Sequence, residues 1–63
     1  MKMYHDRIKN YLMERPGKYI ELNEMVKAFG MKAYDWEAFY RAIEDLIACG
    51  RIVKNESKVK INQ

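Results

Sequence analysis

Apolar residues near the amino terminus recur with the period of an α-helix. They fall at Tyr4, Ile8, Tyr11 and Leu12. Because the positions between them are mostly polar, the pattern predicts a helix that buries one face. Pro16 disfavours helical geometry in the residue before it, and Gly17 suits the positive φ of a type II turn. We therefore expect the first helix to end before this Pro-Gly pair.

A second, shorter helix is indicated after a brief β-prone stretch at residues 18–21. Its apolar positions follow the i, i+3, i+4, i+7 spacing of one helical face. They are Leu22, Met25, Val26 and Phe29. Gly30 follows at the position where helices commonly end in the left-handed conformation. A helix of about two turns is unstable in isolation, so we expect it to pack on the other elements.

The longest apolar stripe predicts a third helix after a connecting turn at residues 31–33. Its members are Trp36, Phe39, Tyr40, Ile43, Leu46 and Ile47. Asp35 is placed to cap this helix at its start. With that cap, Tyr34 and Phe39 occupy the two positions of a hydrophobic staple. We expect the helix to end at Cys49-Gly50.

Two β-prone runs, residues 51–54 and 58–61, flank the polar turn Asn55-Glu56-Ser57 and predict a β-hairpin. The whole chain then reads as helix, short strand, short helix, long helix and hairpin. This order predicts one α+β domain, mainly α, over residues 1–63. It is typical of a winged helix-turn-helix, in which a C-terminal β-hairpin wing completes three helices and a short strand. We expect Tyr19-Ile20 to pair with the edge of the hairpin.

Length and composition narrow the class of protein. Sixty-three residues suffice for one domain, and 49% hydrophobic with 33% charged residues is not the composition of a disordered chain. No apolar run approaches the roughly 20 residues of a membrane helix, and no signal-peptide pattern opens the sequence. A single cysteine, Cys49, cannot form an internal disulfide. We therefore expect a cytoplasmic protein with no membrane partner, and a buried structural thiol at Cys49.

Charge is distributed unevenly along the chain, whose formal net charge is +3. Residues 1–20 contain five basic residues, Lys2 among them, against two acidic ones. Residues 21–50 contain three basic against six acidic residues, and residues 51–63 contain four against one. Because phosphate attracts clustered Lys and Arg, a nucleic-acid footprint is expected mainly at the two basic ends.

Three segments resemble bacterial winged-helix modules. Residues 21–30 read ELNEMVKAFG, residues 39–46 read FYRAIEDL, and residues 50–53 read GRIV. Among such modules, they are most similar to the N-terminal helix-turn-helix domain of ribonuclease R-type exoribonucleases. The resemblance covers nearly the whole chain. It implies an RNA-binding accessory domain of an RNA-processing enzyme, with the catalytic part beyond the C-terminus.

The same resemblance leaves two alternatives open, an excised domain and a stand-alone regulator. One feature departs from the pattern, since the wing turn Asn55-Glu56-Ser57 is short and contains no glycine, unlike many longer wings. The resemblance therefore does not imply deep insertion of the wing into a groove.

Catalytic chemistry finds little support in the sequence. His5 is the single histidine, beside Asp6 near the amino terminus, and is expected at the surface. Cys49 has no second cysteine or histidine at a metal-binding spacing. Active sites need several positioned groups, and no such constellation is present. We expect that this chain alone is not an enzyme and needs no cofactor or metal.

The candidate nucleic-acid-binding residues are basic or aromatic. They are Lys32, Tyr34, Arg41, Arg51, Lys54, Lys58 and Lys60. Four of these cations lie in the predicted wing, within a span of ten residues, where they could hold phosphates. A solvated strand face would show the same pattern, so both interpretations stay open. Arg41 lies four residues from both Glu37 and Asp45, so helix-stabilising ion pairs compete with nucleic-acid contact.

Aromatic residues offer a second kind of nucleic-acid contact, because bases stack on exposed rings. Helical spacing assigns Phe29, Phe39 and Trp36 to the core. Four other tyrosines are expected to be half-buried, with the hydroxyl exposed to solvent; base stacking is the alternative. They are Tyr4, Tyr11, Tyr19 and Tyr40.

These patterns favour a nucleic-acid-binding accessory module that contacts phosphates through its wing, Lys32 and basic first helix. The resemblance, together with the acidic third helix, favours an accessory RNA-binding domain of an RNA-processing enzyme. Carboxylates on the exposed face of the third helix, including Glu37 and Glu44, would oppose insertion into a DNA groove. Two alternatives remain. One is a sequence-specific DNA-binding transcriptional regulator, and the other is an interaction or dimerisation domain that docks a protein partner on its acidic third helix.

Overall fold

Three α-helices and a three-stranded antiparallel sheet make up the computed structural model, which describes residues 4–62. The helices are α1 (His5–Met13), α2 (Leu22–Phe29) and α3 (Trp36–Ala48), with a short 3-10 helix at Ala33–Asp35. The strands are β1 (Ile20–Glu21), β2 (Ile52–Asn55) and β3 (Lys58–Ile61). The predicted α+β class, mainly α, is confirmed. Lys2, one of the basic residues of the N-terminal stretch, lies outside the described residues.

The end of α2 follows the predicted glycine signal. Gly30 has φ of 64°, a left-handed conformation that costs glycine little. Its N–H donates to the Lys27 carbonyl at 3.1 Å, and the Met31 N–H donates to the Val26 carbonyl at 3.3 Å. These two bonds satisfy carbonyls that the helix end would otherwise leave free. The chain can therefore turn sharply towards α3.

Strand β3 lies at the centre of the sheet, in the order β1-β3-β2. Ile20 pairs with Val59 on one side of it, and Lys54 pairs with Val59 on the other. The predicted pairing of the short strand with the hairpin edge is confirmed. The hairpin turn is tighter than the sequence indicated, because Asn55 belongs to β2 and Glu56 adopts φ of 58°.

The core lies between the three helices and the inner face of the sheet. Its buried residues are Tyr4, Ile8, Leu12, Ile20, Leu22, Met25, Val26, Phe39, Ala42, Ile43, Leu46, Ile52 and Val59. Phe39 is fully buried and meets the Tyr4 ring edge to face, with centroids 6.2 Å apart. Phe29 is half-buried and packs on the same two rings. The apolar faces of all three helices thus meet at the contact between these aromatic rings.

The start of α3 differs from the prediction. Asp35 does not cap α3 through its side chain, because its carboxylate accepts the Lys32 N–H at 3.3 Å, within the 3-10 turn. That turn also displaces Tyr34, whose side chain is 81% exposed and forms no staple with buried Phe39. Trp36 was predicted in the core and is 41% exposed, because the first turn of α3 extends beyond the core.

Cys49 also departs from the prediction, since its side chain is exposed. It lies at the C-terminal cap of α3, after the last helical residues that pack on the core. Its thiol donates a long hydrogen bond of 3.6 Å to the Leu46 carbonyl. Within residues 4–62, no helix has both the length and the apolar character needed to span a membrane.

Candidate nucleic-acid interface

The outer face of the sheet brings two of the predicted cations together. Side chains alternate along a strand, and Val59 of β3 points into the core with no exposed surface. Lys58 and Lys60 flank Val59 and therefore share the opposite, outer face. Among the described residues, neither amine lies within 4.0 Å of a carboxylate. Both charges are consequently available to an anion from solvent.

Tyr19 lies beside Lys60, immediately before β1. The Lys60 amine stands 4.8 Å from the centroid of the Tyr19 ring, within the range of a cation–π contact. The ring remains 37% exposed. A charge and an aromatic surface are thus held together on the outer face. We call the group Tyr19, Lys58 and Lys60 the outer-face platform.

One carboxylate borders the outer-face platform. Glu21 pairs with Lys58 across the β1–β3 ladder, and both residues are exposed. The Glu21 carboxylate accepts a hydrogen bond of 2.8 Å from the Ser57 hydroxyl. This bond holds the carboxylate towards the hairpin turn and gives it a hydrogen-bond partner other than Lys58.

The other two predicted wing cations lie elsewhere. Lys54 pairs with Val59 and so belongs to the inner side of the hairpin, where it lines a groove with Glu44 and Ile47 of α3. Arg51 precedes β2 at the far end of the hairpin from its turn and lines a cleft against α1. The structure therefore divides the four predicted wing cations among three places.

The remaining candidates belong to the α2–α3 connection and to α3. Lys32 and Tyr34 are exposed in the 3-10 turn and its approach. Arg41 is exposed on α3, and neither predicted ion pair with Glu37 or Asp45 is present within 4.0 Å. The competing interpretation of Arg41 as a paired, helix-stabilising residue is therefore not supported by the geometry.

A hydrogen bond between His5 and Asp45 explains part of this result, because it engages one of the two carboxylates expected to pair with Arg41. His5 Nε2 lies 2.9 Å from the Asp45 carboxylate, and the His5 side chain is only 19% exposed. His5 is therefore a partly exposed residue whose imidazole is engaged by α3. Forty residues separate the two partners, so helical spacing could not pair them. The single indication was that His5 follows Tyr4 at the edge of the apolar stripe.

The cleft beside this pair has a volume of about 520 Å³. His5, Asp45, Cys49 and Arg51 line it together with Lys9. Nucleophilic catalysis would need the thiol against the imidazole, but the Cys49 thiol donates to the Leu46 carbonyl instead. Among the described residues, no three His, Cys, Asp or Glu side chains are grouped to hold a metal ion.

Tyr11 joins α1 to α2 through a side-chain contact. Its hydroxyl donates a hydrogen bond of 3.1 Å to the Glu24 carboxylate. Burial, and after it this hydrogen bond, raises the pKa of the Tyr11 hydroxyl above its usual value, although the nearby Arg15 guanidinium acts in the opposite direction. The half-buried tyrosine predicted from the stripe is confirmed, with its hydroxyl held by an acid.

The described residues thus present a cationic, aromatic outer face on the sheet and a separate α3 surface that carries carboxylates and exposed aromatic rings. Trp36 and Tyr40 supply those rings and contact each other with centroids 6.1 Å apart. The outer face of the sheet has lysines that could bind phosphates and an exposed aromatic ring on which a base could stack. Comparison with protein-family profiles, curated proteins and solved structures finds no match to this chain.

Proposed function

We propose that this protein is a winged helix-turn-helix module that binds single-stranded RNA through its outer-face platform. The winged-helix assignment is supported by the element order and by the sheet, in which the hairpin's second strand pairs with a short strand before α2. In this assignment α2 and α3 form the helix-turn-helix, and β2 and β3 form the wing.

The contact between Lys60 and Tyr19, with Lys58 beside it, is the observation that carries the proposal. Two amines on one face can each neutralise a backbone phosphate, which is the main source of affinity for nucleic acids. The exposed Tyr19 ring offers a stacking surface for an unpaired base. A duplex keeps its bases stacked, so this combination favours a single strand.

The acidic α3 is a further reason to place RNA on the sheet. Glu37 and Glu44 are exposed on α3, and their charges would repel the phosphates of a duplex that received this helix in its major groove. The resemblance to the N-terminal domain of ribonuclease R-type exoribonucleases agrees with an accessory role in RNA processing.

Arg41 supports a second candidate, a sequence-specific DNA-binding regulator. Its guanidinium is exposed and has no carboxylate within 4.0 Å among the described residues. An arginine on a recognition helix can contact guanine through two hydrogen bonds in the major groove. Glu37 and Glu44 oppose that approach, so we rank this function second.

Fluorescence anisotropy with labelled single-stranded RNA, single-stranded DNA and duplex DNA over a range of salt concentrations tests the proposal. Replacing Lys58 and Lys60 by Gln should weaken RNA binding and reduce the slope of log K against log salt by about 1.4, or about 0.7 per lost contact. The matched control, Lys27→Gln with Lys54→Gln, removes the same charge away from the outer face.

Three results would contradict the proposal. Equal losses in the two double variants would show that net charge, and not the outer face, determines affinity. Unchanged binding after loss of Lys58 and Lys60 would leave these lysines as a solvated strand face. Tighter binding to one duplex sequence, lost on Arg41→Gln, would favour the DNA-binding regulator.

A further inference from the structure

We infer that the groove between α3 and the hairpin is a docking site for a basic, amphipathic helical segment of another protein. The groove lies on the inner side of the hairpin, whereas the outer-face platform lies on the other side of the sheet. The inference therefore concerns a second surface and does not depend on RNA binding.

The groove has an apolar floor. Leu22 of α2 and Ile43 and Ile47 of α3 line it, and Tyr40 forms part of its wall. Its volume is about 470 Å³. Leu22 and Ile43 are almost fully buried, but Ile47 and Tyr40 retain exposed surface. This space suits the apolar side chains that a partner helix presents at successive turns.

Exposed aromatic rings extend the groove towards the start of α3. Tyr40 is 37% exposed and Trp36 is 41% exposed, and their rings meet edge to face. Tyr40 also packs on the buried Phe39 ring at 5.4 Å, so its position is fixed by the core. Aromatic side chains that are already fixed by packing contribute much of the binding energy of protein interfaces. They bury a large area on binding and lose little conformational entropy.

The charges beside the groove select the partner. Glu44 on α3 and Glu56 at the hairpin turn line it from two sides, opposed by Lys54 alone. Along the whole of α3, three carboxylates stand against one arginine, although the chain as a whole has a net charge of +3. Complementary charge steers association and fixes register, so the apolar residues of the partner should be flanked by Lys or Arg.

Two other occupants fit this surface less well. A nucleic acid would bring phosphates against Glu44 and Glu56. A second copy of the chain, related by a two-fold axis through this groove, would bring the same carboxylates against each other. Both arrangements place like charges together, whereas a basic helix places opposite charges together.

Trp36 provides a direct measurement, since it is the single tryptophan of the chain and its ring contacts Tyr40. The probe is a synthetic, end-capped peptide of about 14 residues, or roughly four helical turns, with Leu on one face, Lys on its flanks and no aromatic residue. A peptide with Glu in place of Lys and a peptide with Ser in place of Leu are the controls. We expect a saturable change in Trp36 fluorescence with the Lys-Leu peptide only.

A pair of charge-reversal variants locates the binding. Glu44→Lys should weaken peptide binding by about fivefold or more, because one attraction becomes a repulsion. Glu14→Lys reverses another exposed charge, at the end of α1, and should leave binding unchanged. Circular dichroism of both variants verifies that each is folded.

The outcomes that overturn the inference are distinct. They are the absence of saturation up to about 1 mM peptide, an equal response to the Glu peptide, and equal effects of the two variants. A fluorescence change on raising the protein concentration alone, with a doubled mass in solution, would assign the groove to self-association instead. Displacement of the peptide by single-stranded RNA in a manner dependent on Glu44 would assign it to nucleic acid.

Discussion

His5 and Asp45 form a hydrogen bond of 2.9 Å across 40 residues of sequence. Because a carboxylate only accepts hydrogen bonds, the His5 Nε2–H is the donor. The bond joins the first residue of α1 to the last turn of α3. The bond also engages the Asp45 carboxylate, which helical spacing predicts as a partner of Arg41. The surface chemistry of α3 is thus set partly by a residue from the other end of the chain.

This pair predicts a measurable coupling between two helices. His5→Ala should lower the free energy of unfolding by about 1 kcal/mol, the usual net value of such a hydrogen bond. Because Asp45 is 59% exposed, a double-mutant cycle with Asp45→Ala should give a coupling energy of about 0.2–1 kcal/mol. Urea denaturation of the four proteins measures it. Strictly additive effects would show that the bond contributes nothing in solution.

The centre of the core should depend on Ile43. This side chain is 2% exposed and lies between the helices and the sheet, so Ile43→Ala should cost about 2–5 kcal/mol. The total free energy of unfolding of a domain this small is not much larger than this cost, so much of the variant should be unfolded at 25 °C. Arg41→Ala on the exposed face of α3 is the control and should change stability by less than about 0.5 kcal/mol. Equal melting curves for both variants would contradict the packing described here.

Tyr11 predicts how stability changes at high pH. Its pKa is raised in the folded state, chiefly by burial and then by the bond to Glu24. The folded protein therefore retains this proton longer than the unfolded chain does. The resulting stabilisation is fully present below the unfolded pKa of about 10 and is lost as the pH rises through the folded pKa.

Comparison with Tyr11→Phe isolates this contribution. The difference in urea midpoint between wild type and Tyr11→Phe should be constant near neutral pH and should shrink from about pH 10 upwards. Tyr34→Phe serves as the control, because the Tyr34 side chain is 81% exposed. A difference that stays constant to about pH 11 would show that the Tyr11 hydroxyl is not held by the fold.

Removing two carboxylates from α3 should distinguish the candidate functions. Replacement of Glu37 and Glu44 by Gln should raise affinity for all nucleic acids slightly and alike, since it removes repulsion without adding a specific contact. Anisotropy titrations with RNA and with two unrelated DNA duplexes measure this. Loss of discrimination between the duplexes would mean that a carboxylate reads a cytosine amino group, and would favour the DNA-binding regulator.

Periodic packing made most of the fold predictable. The stripes that begin at Tyr4 and Leu22 repeat over at least two turns, and each turn adds a buried residue that supports the same helix. The start of α3 was predicted less well, because a 3-10 turn and an α-helical cap both place an acid near the first turn. These residue types do not by themselves decide between the two, because tertiary packing can override local propensity.

The candidate site was predictable only in part. Alternation within 51–54 already places Lys54 on the face of Ile52, opposite the side that Lys58 and Lys60 occupy, so the division of the wing cations could have been found from the sequence. The cation–π contact could not, because it depends on the register of β1 against β3. Arg41 is unpaired in part because Asp45 bonds to His5, 40 positions away in sequence, which no local pattern reveals.

The central position of β3 has a consequence for the order in which the protein folds. β3 follows both other strands in sequence, and among residues 4–62 each of them pairs only with it. On the ribosome, the three helices leave the exit tunnel before the segment that closes the sheet. Until Val59 arrives, Ile20 and Ile52 lack the neighbour that buries them, and the helices lack their cover. Completion of the fold therefore awaits β3, and the nascent helical intermediate is the state that a chaperone or protease would meet first.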